Sequence, residues 1–400
     1  MRHLVPDTTI QTTRSRALPP PLTSDNPDSF AWSVIHRRHP LLIEQARAAH
    51  PYGPQQVDGL EALAAEMTGG LVRPLKPESH DGHAWQGWSE SYVGRRWDEV
   101  PFLWSESYFY RRLLEAIEFF SPGPWYWNDP FAHLKSAELA HPTLAAELAA
   151  LDRLADLDPQ QRGRALLLAA LWGNRADLGF AVHAARPDLA VSESLIVDDS
   201  DHLWSLLTKG AGTVCLVADN AGRELLADLI LVDELLESGL VGDVVIHVKP
   251  IPYYVSDAMT SDVTACVQRL ASAGGYAAVA ARRLQDSFRR GRIRLRTSWF
   301  YSAPFEFDAM PADLHTEFAN AALTIMKGDL NYRRLFGDRA WPATTEVSIA
   351  GAYFPGPFAA LRTLKSDVVI GVSEDRLKEL EAHSSAWRVT GTHAMVQVMA

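Results

Sequence analysis

The chain has 400 residues, 47% apolar and 22% charged, a composition typical of globular chains and long enough for one large or two ordinary domains. Its formal net charge of -11 supplies no basic excess to displace counterions from a phosphodiester backbone, so a nucleic-acid partner is not expected. Its 2 cysteines cannot build a disulfide framework or a structural zinc site, and no apolar run approaches membrane-spanning length.

Residues 1–28 are polar and proline-bearing, and they read as an extended arm rather than a packed element. They carry some positive charge but no apolar stretch of the secretory kind, so a cytoplasmic protein is expected. From Phe30 the pattern turns helical, with Pro40 placed to break or open a helix. Helices are expected over 59–67, 105–120, 132–139, 143–157 and 162–172, with alanine and leucine dominating 132–139 and 143–157. The segment 69–101 reads as a loop rich in Trp, Gly and His. Its tryptophans, from Trp85 to Trp104, are assigned to packing, with a sugar-stacking platform as the second reading.

The second half changes character. Strands are expected at 194–197, 213–218, 244–248, 292–297, 323–326 and 367–372, and helices at 201–208, 224–238, 261–273, 276–288 and 374–382. Such alternation implies a mostly parallel sheet covered on both faces. The expected organisation is an arm (1–28), a mainly helical domain (29–185) and a doubly wound α/β domain (186–400). Within the last, 213–257 forms a βαβ unit, and such units bind ligands at the carboxyl ends of their strands. Asp219, Asn220 and Asp257 all fall at such ends.

Two carboxylates and an amide oxygen suit a hard divalent cation such as Mn²⁺ or Mg²⁺, with Co²⁺ or Ni²⁺ as alternatives. Gly222 would let the backbone approach an anion at the next helix N-terminus. The plainer reading of the same polar residues is helix capping. A second constellation runs from Lys327 to Arg333 and includes Asp329, Asn331 and Tyr332. It offers a cation, an acceptor and an amide to a substrate bearing hydroxyls and a phosphate; otherwise it is an ordinary polar turn. Lys365, just before the strand expected at 367–372, would supply a further cation for phosphate, unless it belongs only to a solvated basic turn. Asn174 follows a helix and would reach the same cleft, unless it is only a cap. The pairs His36/His39 and His80/His83 lack zinc-site partners and are assigned to packing or the surface. Cys215 and Cys266 are assigned to the core. No dinucleotide fingerprint, Walker A sequence or nucleophile elbow is present.

Taken together, PPLTSDNPDSFAW (20–32), ESYFYRRLLEA (106–116), LLLAALWGNRADL (166–178), VADNAGRELL (217–226), KPIPYYVSD (249–257), MKGDLNYRRL (326–335) and LRTLKSDVVIGV (361–372) resemble the DUF89 family of metal-dependent damage-control phosphatases, in its acidic-residue methyltransferase 1-like branch. The resemblance implies a three-layer α/β/α sandwich with a helical N-terminal domain. It implies metal ligation by Asp219, Asn220 and Asp257, substrate binding by Asp329 to Arg333, and phosphate binding by Lys365. It further implies hydrolysis of sugar phosphates of the fructose 1-phosphate and fructose 6-phosphate type. The segments around 129–131 and 300–307 match the family only loosely. Two other functions compete with phosphatase: a carboxyl methyltransferase using S-adenosylmethionine, and a non-catalytic phosphometabolite-binding protein. The methyltransferase would need a glycine-rich turn after the first strand, where the chain has Asp198-Asp199-Ser200.

Overall fold

In the computed structural model, residues 18–173, 194–210 and 212–400 are described. Seven strands among these residues form one sheet, in the order β1 (Leu195–Asp198), β7 (Ala394–Met399), β6 (Phe358–Thr363), β5 (Leu323–Lys327), β2 (Thr213–Val217), β3 (Asp243–Val248) and β4 (Ile293–Thr297). The five strands from β6 to β4 are parallel, while β7 runs antiparallel to β6 and carries β1 alongside it. Side chains alternate across the sheet, as strand geometry requires. Val214 and Leu216 enter one core with the Pro159–Trp172 and Arg223–Glu237 helices. Cys215 and Val217 enter the opposite core with Phe318, Tyr332 and Phe336. The sheet is therefore covered on both faces, giving a layered α/β fold.

The chain order sets the site. From β2 the chain steps outward through β3 to β4, then crosses back to place β5 on the other flank of β2. The strand order thus reverses between β2 and β5. At such a point the connections leave in opposite directions, and a crevice opens beyond the strand ends. Asp219 follows β2 and Gly328 follows β5, so both stand at this crevice.

The helix Arg223–Glu237 is buried at every position from Arg223 to Leu236. Its leucines pack against the sheet on one side and against Pro159–Trp172 and Thr260–Ala271 on the others. The earlier residues form a second, aromatic-rich core that includes Ile35, Leu60, Trp97, Tyr108 and Phe109 and reaches Ile251, Tyr253 and Leu330 of the sheet region. The boundary expected near residue 185 falls outside the described residues, and helices from Leu144 onward already share the sheet's core. Among the described residues no helix is long and apolar enough to cross a membrane.

Three expectations need correction. The arm is extended from Leu18 but packed: Leu22 N–H donates to Asp338 O at 2.9 Å, Phe102 N–H donates to Leu22 O at 2.8 Å, and Ser24 is buried. The supposed loop 69–101 contains the Gly82–Ser89 helix. Residues 367–372 are buried but are not a strand. Ile370 N–H donates to Tyr332 Oη and Ile370 O accepts from Gln397 Nε2, so side chains replace a ladder. The true strand, β6, lies just before it, and β7 went unread. Lys365 still stands beyond a strand end, that of β6.

Candidate functional site

The loops after β2 and β3 fold onto each other. Ala221 N–H donates to Ser256 O at 2.6 Å, Ala258 N–H to Asp219 O at 2.8 Å, and Asn220 pairs with Asp257 in an antiparallel bridge. These bonds bring Asp219, Asn220 and Asp257 together. Two glycines make the close approach possible. Gly328 has φ +82°, and a Cβ there would lie 1.8 Å from Asp219 Oδ2. Gly222 has φ +72°, and its Cβ would lie 2.8 Å from that of Glu138. Both positions demand a residue with no side chain.

Asp219 and Asp257 are buried. Burial, Glu224 and Asp257 hold the Asp219 carboxyl well above its ordinary range, against the pull of Lys365 and Lys249. Burial also lifts Asp257 to about 6, although Lys249 Nζ stands 3.3 Å from its Oδ2. Like charges confined away from water resist ionising together. Asp257 Oδ2 is buried, with the Lys249 ammonium as its partner. A hard divalent cation fits this donor set, because it would relieve the repulsion between the two carboxylates and ligate their oxygens. Asn220 donates from Nδ2 to Asp219 Oδ2 at 2.8 Å and to Glu224 Oε2 at 2.9 Å, while its oxygen faces Ser256 Oγ. Its amide must turn to add an oxygen ligand. Among the described residues no three His, Cys, Asp or Glu side chains form a ready-made metal cage. Two carboxylates and the amide would leave further positions for water and substrate.

The other expected residues divide. Lys327 is buried and spends its ammonium on Ala170 O at 2.5 Å, Asp228 at 2.7 Å and Glu224 at 3.2 Å. It lies beneath the site as a counter-charge rather than as a phosphate ligand. Arg333 is likewise committed, to Glu106 at 2.6 Å and to Asp338 at 2.7 and 2.9 Å. Tyr332 Oη donates to Gln397 Oε1 at 2.8 Å inside the core. These three are fixed by protein partners, so a direct substrate role for them does not fit. Asn331 donates from Nδ2 to Ala218 O at 3.1 Å and Lys327 O at 2.8 Å, tying the end of β2 to that of β5. Its Oδ1 is buried without a partner. Asp329 accepts from Arg362 Nε at 2.8 Å and from Lys365 N–H at 3.2 Å, which fixes the turn carrying Lys365. The half-buried Lys365 is felt electrostatically at Asp219, and no side chain among the described residues pairs with its ammonium. Asn174 lies outside the described residues. Its neighbour Gly173 packs so tightly that a Cβ would lie 2.8 Å from Glu224 Cα.

Glu224, Asp228 and Lys249 were not read as site residues. Glu224 and Asp228 stand one and two helical turns after Asn220, and Lys249 directly follows β3. Position at a strand end marked Lys249 as it marked Asp219, but its cationic partner role needed the fold. Cys215 and Cys266 are buried and free. His39 is buried against Phe109, with ring centroids 3.8 Å apart.

The family model described as the damage-control phosphatase ARMT1-like domain matches residues 34–380. Damage-control phosphatase ARMT1 of Homo sapiens is 32% identical over 435 residues, covering 95% of this chain and 98% of that protein. The Danio rerio protein of the same name is 29% identical over 438 residues, covering 95% and 97%. The crystal structure of a DUF89 family protein from Pyrococcus horikoshii aligns over 91% of this chain and 96% of that one, with 14% identity and a TM-score of 0.49.

Proposed function

Because the chain belongs to the damage-control phosphatase ARMT1-like family, we propose that it hydrolyses phosphate monoesters of small metabolites with a divalent cation held by Asp219, Asn220 and Asp257. What carries this reading is the buried pair of carboxylates at the crevice between β2 and β5, with Lys365 facing it from the end of β6. Buried acids gathered without enough protein cations are costly unless a metal joins them.

When bound, Mn²⁺ or Mg²⁺ would polarise a phosphoryl oxygen and acidify an attacking water. Lys365 offsets negative charge on the phosphoryl oxygens, where charge-assisted bonds are strongest. Either Asp257 or Asp219 orients the water and takes up its proton. The water oxygen forms the new P–O bond as the ester P–O bond breaks, the proton held by the aspartate passes to the leaving oxygen, and the metabolite leaves as its alcohol with inorganic phosphate. Lys327 steadies Glu224 and Asp228 from below, and Asn331 holds the two strand ends in register. The substrates of this reading are sugar phosphates of the fructose 1-phosphate and fructose 6-phosphate type.

The test is phosphate release from hexose phosphates and nucleoside monophosphates with Mn²⁺, Mg²⁺, Co²⁺, Ni²⁺ or EDTA. Release that needs a cation and stops with EDTA is expected. Folded, metal-loaded protein that releases no phosphate from any of them contradicts the reading.

A further inference from the structure

Lys249 directly follows β3, and its backbone joins the two ends of the loop that carries Asp257. Its N–H donates to Ala258 O at 2.9 Å, and it pairs with Met259 in a parallel bridge. The residue is 3% exposed. Its ammonium is enclosed and stands 3.3 Å from Asp257 Oδ2, its one oxygen partner among the described residues. The rings of Tyr253 and Tyr301 wall it in, their centres 5.8 and 5.6 Å from Nζ. Both rings are held by their hydroxyls, Tyr253 to Ser107 Oγ at 2.5 Å and Tyr301 to His247 Nδ1 at 2.7 Å. The lysine therefore sits in a stiff cage, aimed at Asp257.

Lys327 is the contrasting case. Its ammonium is shared among Ala170 O, Asp228 and Glu224 and meets none of the proposed metal ligands. Lys249 directs its ammonium to a single oxygen of one such ligand. The two oxygens of Asp257 are thereby made unequal: Oδ2 is enclosed against the ammonium, whereas Oδ1 is neither enclosed nor held by a neighbouring side chain. Asp219 has a looser restraint of the same kind, because Asn220 Nδ2 donates to its Oδ2 at 2.8 Å. That bond is released when the amide turns its oxygen towards a cation. The outer partners of a ligating carboxylate orient it and tune the metal it holds. Cations differ in what they ask of a carboxylate. Mg²⁺ keeps a tight octahedron and is served by one oxygen from each, while the larger Ca²⁺ gathers about 6–8 oxygens and readily takes both.

Resting on the metal-dependent reading above, we propose that Lys249 is a positioning residue that sets cation selectivity. By occupying Oδ2 it limits Asp257 to one ligating oxygen, which admits Mg²⁺ or Mn²⁺ and disfavours Ca²⁺. Lys249 itself touches neither cation nor substrate. Its charge weakens the binding of every divalent cation alike, whereas its hold on Oδ2 changes the ratio between them.

The experiment is a competition on the chelator-stripped full chain. Mg²⁺ or Ca²⁺ displaces bound Mn²⁺, and the free-ion electron paramagnetic resonance signal of Mn²⁺ reports the release. In the parent, Ca²⁺ is expected to compete at least about tenfold less effectively than Mg²⁺. Lys249→Met frees Oδ2 and should lower that preference about tenfold, the order by which ligand number and rigidity tune such sites. Lys249→Arg keeps donors on Oδ2 and should retain the parental preference. A parent that binds Ca²⁺ as well as Mg²⁺ overturns the proposal, and this arm needs no variant to fold. A preference in Lys249→Met equal to the parent's overturns it too, even where both affinities have moved, because a lysine that only balances charge gives that result. A parent that binds no Mn²⁺ defeats the metal-dependent reading and this inference with it, so the first titration tells the two failures apart.

Discussion

Asp219 and Asp329 both stand at the carboxyl edge of the sheet, on either side of Gly328, yet their charges are settled in opposite ways. Burial works to raise the Asp329 carboxyl, but Arg362 and Arg333 outweigh it and hold the group below its ordinary range. Arg362 itself is enclosed: it binds Asp329, Val368 O and Ser366, and lies 4.2 Å from the centre of the Tyr332 ring. Asp219 has no such cation against it and is pushed upward by burial, Glu224 and Asp257. A buried charge with a full set of partners holds structure together, whereas one left short of partners invites a ligand. The two aspartates therefore separate the frame of the site from its chemistry.

The largest expected effect breaks the chemical side alone. Asp219→Asn should reduce metal-dependent phosphate release by roughly a thousandfold or more, because an amide is a poor replacement for an anionic ligand. Urea unfolding without metal should show no loss of stability, since one member of a repelling cluster has been neutralised. A strong loss of stability would remove the distinction. Arg362→Met breaks the other side. It strands Asp329 and should cost about 3–5 kcal/mol in the same unfolding assay; a loss under about 1 kcal/mol would show that Asp329 is not held as described.

Lys365→Ala sharpens the boundary between the two, because Lys365 stands on the turn fixed by Asp329 but faces Asp219. Its kcat/KM should fall roughly 10- to 100-fold through loss of a charge-assisted phosphate contact, with stability changed by less than about 0.5 kcal/mol. An effect on stability alone would assign Lys365 to the frame. The smallest effect concerns a buried group that is neither paired nor part of the site. His39 has both ring nitrogens unpartnered, and burial holds its proton affinity well below the ordinary value. The unfolded chain binds a proton near pH 6.5 that the folded chain refuses, so its contribution is complete above that pH and is lost as pH falls below it. Stability should drop by up to about 1.4 kcal/mol per pH unit below 6.5 from this group. Thermal unfolding of His39→Phe between pH 7.5 and 5 should give a shallower decline than the parent.

Much of the fold could be read where one interaction dominates. β2 and β3 are buried, mostly apolar runs, and Gly239, with φ +70°, closes the helix between them. β6 escaped because FAALRT contains alanine and arginine, follows Pro357, and owes its extended form to its neighbours β5 and β7. Residues 367–372 misled for the converse reason: they are apolar and buried, but their backbone is satisfied by Tyr332 and Gln397. At the crevice, strand-end position singled out Asp219, Asn220 and Asp257 as candidates, and the fold brings the three together. Position alone could not show where Lys327, Tyr332 and Arg333 point, because their partners Glu224, Asp228, Gln397 and Glu106 come from distant parts of the chain. Charge is visible in a sequence; its compensation is a property of the fold.

The most direct measurement pairs a calorimetric titration of Mn²⁺ into chelator-stripped protein with phosphate release from the same preparations of parent and Asp257→Ala. A saturable Mn²⁺ site in the parent, lost from the variant together with phosphate release, is the predicted result. Hydrolysis by Asp257→Ala at the parental rate, or by the parent undiminished in EDTA, would contradict a metal-dependent site at this crevice.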